Sequence, residues 1–133
     1  MTFSPSHAGL AGYLLRARIA PGPPRPDGAV ALVFDGSSRV LLHTSRRGEL
    51  TAESELCLLD RSRDANDSTM FDALQAAAGR AIYDSARLVL SPREDCLLLQ
   101  ETIPADASAD QFENLLSRFL DSLNAWRAHF GTL

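Results

Sequence analysis

Lysine is absent from this chain of 133 residues, and all thirteen basic side chains are arginine. This absence excludes a Schiff-base lysine and the lysine of a phosphate-binding loop. The formal net charge is −4, and the arginines form no extended basic cluster. Such a chain is poorly suited to nucleic acid or to an anionic membrane, so we expect neither as a partner.

Cysteines and long apolar runs are also scarce. Cys57 and Cys96 each lie in an apolar, strand-like stretch, which indicates buried free thiols in a reducing compartment. No apolar stretch approaches the length of a membrane span, and the N-terminus has no basic segment typical of an export signal. We therefore expect a cytoplasmic protein without membrane insertion, folded as one domain over residues 1–133.

Sequence motifs of known reaction centres are missing as well. The chain has no phosphate-cradling glycine loop, nucleophile elbow or dinucleotide fingerprint. His43 and Cys57 fall in neighbouring predicted strands, but no acid is placed to orient the histidine, and an apolar strand disfavours a thiolate. The three histidines show no metal-ligand spacing. We expect no enzyme, no metal and no cofactor.

The residues that are present predict one α+β domain. Leu10, Tyr13 and Leu14 recur at helical spacing after Ser4-Pro5, although Gly9 and Gly12 each cost such a helix about 1 kcal/mol relative to alanine. The proline-rich stretch 21–26 is typical of a stiff linker. Apolar, β-prone runs separated by turn residues predict strands at 29–34, 39–44, 54–60, 86–90 and 96–102, with a helix at 69–82 before the last two.

A long amphipathic helix is predicted at the C-terminal end. Ser108 and Gln111 form a capping box, and Gly131 stands where a helix would stop, with the helix ending around Trp126. Its apolar stripe consists of Phe112, Leu115, Leu116, Phe119, Leu120, Leu123, Trp126 and Phe130. The predicted order is α-βββ-α-ββ-α, which is an antiparallel twisted sheet with three helices. Because the strands are apolar on both parities, we expect part of the second sheet face to be an exposed apolar patch, as at protein interfaces.

This order, and the ending in which Leu97-Leu98-Leu99 leads through Ile103-Pro104 to Phe119-Leu120 and Trp126-Arg127, resembles a known family. It is similar to the class I chaperones of type III secretion, the Tir-chaperone (CesT-like) group. The resemblance implies a chaperone without cofactor that binds the N-terminal segment of one or more secreted effectors in extended form. It would keep the client soluble in the bacterial cytoplasm and present it to the secretion ATPase.

The resemblance also implies a homodimer whose subunits meet through Ala78, Ile82, Leu88 and Leu90. Helix spacing and strand parity then favour Leu10, Leu14, Val33 and Leu41 as effector contacts. The alternative hypothesis is a small dimeric α/β scaffold or sensor of roadblock or profilin-like type, which also uses a central antiparallel sheet and binds another protein.

Overall fold

The computed structural model describes residues 7–19, 28–34, 38–45, 47–58, 72, 75, 86–92 and 96–129, apart from the side chains of Cys57, Leu58 and His129. The chain begins with helix α1 (Ala8–Ala17) and ends with helix α2 (Ala109–His129). Between them lie strands β1 (Val30–Phe34), β2 (Ser38–Thr44), β3 (Leu50–Leu58), β4 (Arg87–Leu90) and β5 (Cys96–Ile103).

The five strands form one sheet in the order β1-β2-β3-β5-β4, and every neighbouring pair is antiparallel. The predicted α+β class is confirmed. The prediction that residues 46–53 form a loop and that the third strand starts at 54 is wrong, because β3 begins at Leu50. Leu50 and Ala52 point into the core and pair with Ile103 and Glu101. The polar Thr51 lies between them, so this part of β3 alternates inward apolar residues with polar ones, as a strand does.

The described part of the chain delimits two helices, one fewer than the three expected. The expected middle helix falls on 69–82, where only Asp72 and Gln75 are described, and both are helical and exposed. Ala78 and Ile82 lie outside the described residues.

Helix α2 starts as its sequence predicts. The Ser108 N–H donates to Oε1 of Gln111 (2.9 Å), and the Gln111 N–H donates to Oγ of Ser108 (3.2 Å), which is a reciprocal capping box. The helix continues to His129, about one turn beyond the predicted end. Its predicted stripe is buried at Phe112, Leu116, Phe119, Leu123 and Trp126.

Helix α2 covers one face of the sheet, and the core lies between them. The strands contribute to this core through Leu32, Val40, Leu42, Leu50, Ala52, Leu56, Leu97, Leu99 and Ile103. Residues of the opposite strand parity lie on a second face that no described helix covers. Apart from the buried Cys96, their described side chains are half-buried or exposed. We call this second face the open face.

Helix α1 packs closely on α2, and glycine is required at position 9 for that packing. A Cβ atom at Gly9 would lie 2.5 Å from the carbonyl oxygen of Ala107, and one at Gly12 would lie 3.1 Å from Cβ of Ala109. The close approach allows Leu10 and Leu14 to enter the core. The cost that glycine imposes on the isolated helix is thus offset by docking.

Candidate functional site

The apolar part of the open face lies at the β1 edge of the sheet. Val33 is 61% exposed, and Ala31 pairs with Leu41 in the β1/β2 register, both half-buried. We call Ala31, Val33 and Leu41 the edge patch. Among the described strands β1 pairs with β2 alone, so its outer edge presents backbone groups beside the edge patch.

A polar cluster lies next to the edge patch and ties three strands together. Nε2 of His43 lies 3.0 Å from Oε2 of Glu53, and the Gln100 amide donates to Oε1 of Glu53 over 3.4 Å. The expectation that no acid orients His43 is therefore wrong. The tight turn at Gly48 sets a register in which His43 faces Thr51, and this places Glu53 diagonally across the strands. The cluster contains no nucleophile, so its arrangement is that of a structural cross-strand network.

Strands β2 and β3 separate beyond the Leu41 and Glu53 pair. Oγ of Ser54 donates to the Arg39 carbonyl oxygen (2.6 Å) in place of a ladder bond. From the end of α2, the Arg127 guanidinium donates to Oγ of Ser38 (3.1 Å) and to the Glu55 carbonyl oxygen (3.4 Å). The separation leaves a cleft of about 280 Å³. It is lined by Arg39, Leu41, Glu53, Ser54, Glu55, Leu98 and Arg127.

The structure separates the predicted effector contacts into two groups. Val33 and Leu41 come together in the edge patch. Leu10 and Leu14 are 1% and 4% exposed, so the prediction that they form a surface patch is wrong. Their helical spacing marks the face that packs on α2, whereas Leu15, which we did not select, is the exposed leucine of α1 at 81%.

Side-chain contacts reinforce the docking of α1. Tyr13 packs against Phe112, with ring centroids 5.2 Å apart, and burial together with the charge of Glu113 raises the pKa of Tyr13. Arg16 forms ion pairs with Asp110 and Glu113 of α2, and its hydrogen bond to Asp110 raises the pKa of the guanidinium. These contacts make α1 part of the scaffold that supports the sheet.

Apolar residues also occupy the opposite edge of the sheet. Leu88 is half-buried against the core, Val89 is half-buried on the open face, and Leu90 is 36% exposed. These residues belong to β4, which is only four residues long. The predicted interface residues Leu88 and Leu90 therefore share one edge strand, while the other two predicted interface residues, Ala78 and Ile82, are not among the described residues.

Within the described ranges, no group of three or more histidine, cysteine, aspartate or glutamate side chains could hold a metal ion. No described helix is long and apolar enough to cross a membrane. The candidate site therefore consists of an apolar patch, a polar cluster and a neighbouring cleft.

Comparison with known proteins gives one family and several structures. The model of the Tir chaperone protein (CesT) family matches residues 13–127. No curated protein matches the chain at a significant level. Among solved structures, the HopA1–SchA chaperone–effector complex is similar with a TM-score of 0.65 at 16% identity, covering 88% of each chain.

Two further structures share the fold. The Yersinia pestis type III secretion chaperone SycH, solved with a stable fragment of YscM2, gives a TM-score of 0.63 at 18% identity, covering 90% of this chain and 98% of that one. The ExsC–ExsE complex gives a TM-score of 0.67 at 19% identity, covering 90% and 89%.

Proposed function

Since the chain belongs to the Tir chaperone protein (CesT) family, we propose that it is a type III secretion chaperone that binds the N-terminal segment of one or more effectors. The family match over residues 13–127 carries this conclusion. The chaperone keeps its client soluble and competent for secretion in the bacterial cytoplasm. It binds and releases the client without a chemical step, and it delivers the client to the secretion ATPase.

The edge patch is the surface that best fits an extended client segment. A segment that runs along the outer edge of β1 can pair with backbone groups that no described strand engages, and it can place alternate side chains beside Ala31 and Val33. Val33 is exposed and apolar, so covering it removes apolar surface from water without first opening the core. The neighbouring cleft adds charged groups, which favour the choice of one client over another more than they add affinity.

We propose a different role for Leu10 and Leu14. Because both are buried between α1 and α2, they hold α1 in place and do not contact the client in the docked state. On α1, Leu15 is the exposed large apolar side chain available to a client.

Co-expression with an effector encoded in the same gene cluster tests the function. We expect a stable complex that contains two chaperone chains and one effector segment. A failure of every effector in that cluster to bind would contradict the proposal.

Charge substitution tests the surface. We expect Val33→Asp to weaken client binding about tenfold or more, because an interface residue that becomes charged loses its apolar contact and leaves a buried charge. The matched control is Thr44→Asp, which places the same charge at an exposed strand position of the opposite parity. Isothermal titration calorimetry gives both affinities, with circular dichroism to confirm folding. Equal affinities for the two variants would place the client elsewhere.

A further inference from the structure

His7 is a buried histidine that joins two distant parts of the chain. It is 3% exposed and stands at the N-cap of α1. Its Nδ1 accepts a hydrogen bond from the Leu10 N–H (3.1 Å), and its Nε2 lies 2.7 Å from the carbonyl oxygen of Pro104. The ring therefore links the start of α1 to the connection between β5 and α2.

These two bonds determine where the ring carries its proton. A backbone N–H can only donate, so Nδ1 presents a lone pair to Leu10. A carbonyl oxygen can only accept, so Nε2 carries the hydrogen that is donated to Pro104. The bonded form is the neutral ring with its hydrogen on Nε2. In the charged ring, Nδ1 also carries a hydrogen, which would point at the Leu10 N–H.

We propose that His7 is a protonation-sensitive latch that docks α1 while its ring is neutral and releases it when the ring is protonated. Protonation removes the acceptor of the Leu10 N–H and leaves that buried donor unpaired. It also places a positive charge at the N-terminus of a helix, where the helix dipole opposes it. Both effects act in the same direction: the neutral ring favours docking of α1, and the protonated ring opposes it.

Among the described residues, the groups around His7 offer little compensation for a charge. Both of its hydrogen-bond partners are uncharged backbone groups, and α2 presents the Phe112 ring, with centroids 6.2 Å apart. The acids of α2 nearest to α1, Asp110 and Glu113, are paired with Arg16, which is nine residues or about 13 Å further along α1. Asp106 is an exposed acid of the same connection, two residues after Pro104, and a negative charge there would favour the protonated ring and so oppose release.

Release of α1 would change the surface of the molecule. Leu10 and Leu14 would leave the core, and the side of Phe112 that they and Tyr13 cover would meet water. The inference concerns the docking of α1 and does not depend on the proposed client.

Hydrogen exchange of the full chain at pH 7.5 and pH 5.5 tests the latch. After correction for intrinsic exchange, the α1 amides of the parent should lose about tenfold in protection at the lower pH, while those of α2 and the sheet keep theirs. The matched variant is His7→Asn, because asparagine accepts the same capping bond and does not titrate. Its α1 protection should be equal at both pH values. An equal response of parent and variant would overturn the proposal.

Nitrogen NMR of the His7 ring provides a second test that needs no variant. At pH 7.5 the ring should show a bare Nδ1 and a protonated Nε2, and its protonation should coincide with the loss of protection in α1. A charged ring in a chain whose α1 amides stay protected would overturn the proposal even if His7→Asn failed to fold.

Discussion

At the scale of single residues, the two ends of α1 show how backbone geometry decides which side chain fits. The helix ends in a Schellman motif. The Ile19 N–H donates to the Leu14 carbonyl oxygen (3.0 Å), and the Arg18 N–H donates to the Leu15 carbonyl oxygen (3.3 Å). Arg18 adopts the left-handed conformation, with φ of 56°, in a position where glycine is the usual residue. At the other end, Gly9 stands where a side chain would meet backbone.

Gly9 and Gly12 should respond differently to substitution by alanine. We expect Gly9→Ala to destabilise the protein by about 1–3 kcal/mol. The new Cβ would lie 2.5 Å from a backbone oxygen, and this steric clash outweighs the gain in helix propensity. Gly12→Ala should be close to neutral, because its nearest neighbour is a side-chain Cβ at 3.1 Å. Urea denaturation gives both free energies of unfolding. Equal stabilisation by the two changes would show that α1 does not pack closely on α2.

Arg18→Gly should stabilise the protein. Removing Cβ relieves about 1–2 kcal/mol of strain in the left-handed conformation. Glycine also gives the unfolded chain more conformational freedom, which lowers stability, so we expect a net gain of about 0.5–1 kcal/mol in the free energy of unfolding. The control is Arg18→Ala, which removes the same guanidinium but keeps Cβ. It should give no gain in thermal denaturation. If both variants were more stable than the parent, the stabilisation would come from removing the guanidinium charge and not from relieving backbone strain.

At the scale of elements, patterns within one segment were predicted and contacts between segments were not. The apolar stripe and capping box of α2 repeat over short spacings, so the sequence predicts the helix and its buried face. The same kind of stripe at Leu10 and Leu14 was misassigned to the surface, because its partner α2 is about a hundred residues away. The cleft at Ser54 and Arg127 was missed for the same reason: no local pattern indicates that β2 and β3 separate there.

The capping box of α2 should contribute measurably to stability. We expect Ser108→Ala to cost about 1 kcal/mol, since it leaves the Gln111 N–H without its partner. Combined with Gln111→Ala, the loss should be smaller than the sum of the two single losses, because the two bonds depend on one another. Ser117→Ala, at an exposed position inside the helix, should cost nothing. Additive losses in urea denaturation would contradict a reciprocal cap.

At the scale of the whole molecule, the sheet has two apolar edges that lie far apart. Strands β1 and β4 are separated by β2, β3 and β5, so four strand spacings of about 4.8 Å place the edges roughly 19 Å apart. A client on β1 and a second copy of the chain on β4 would therefore not compete for the same backbone groups. The strand order is therefore compatible with the proposed two-chain complex, in which each subunit would keep its edge patch accessible.

If the chain forms the expected homodimer through β4, Leu90→Asp should break it, because the substitution places a charge on that apolar edge strand. At micromolar concentration, light scattering of the parent should give twice the 14.4 kDa mass of one chain, and the variant should give a single chain that still folds. Leu15→Asp introduces the same charge at the most exposed large apolar residue described, on α1, and should remain dimeric. A parent that is monomeric would remove the homodimer from the proposed function. A Leu90→Asp variant that stays dimeric would move the interface away from β4, while leaving the edge patch on β1 to be tested by its own substitution.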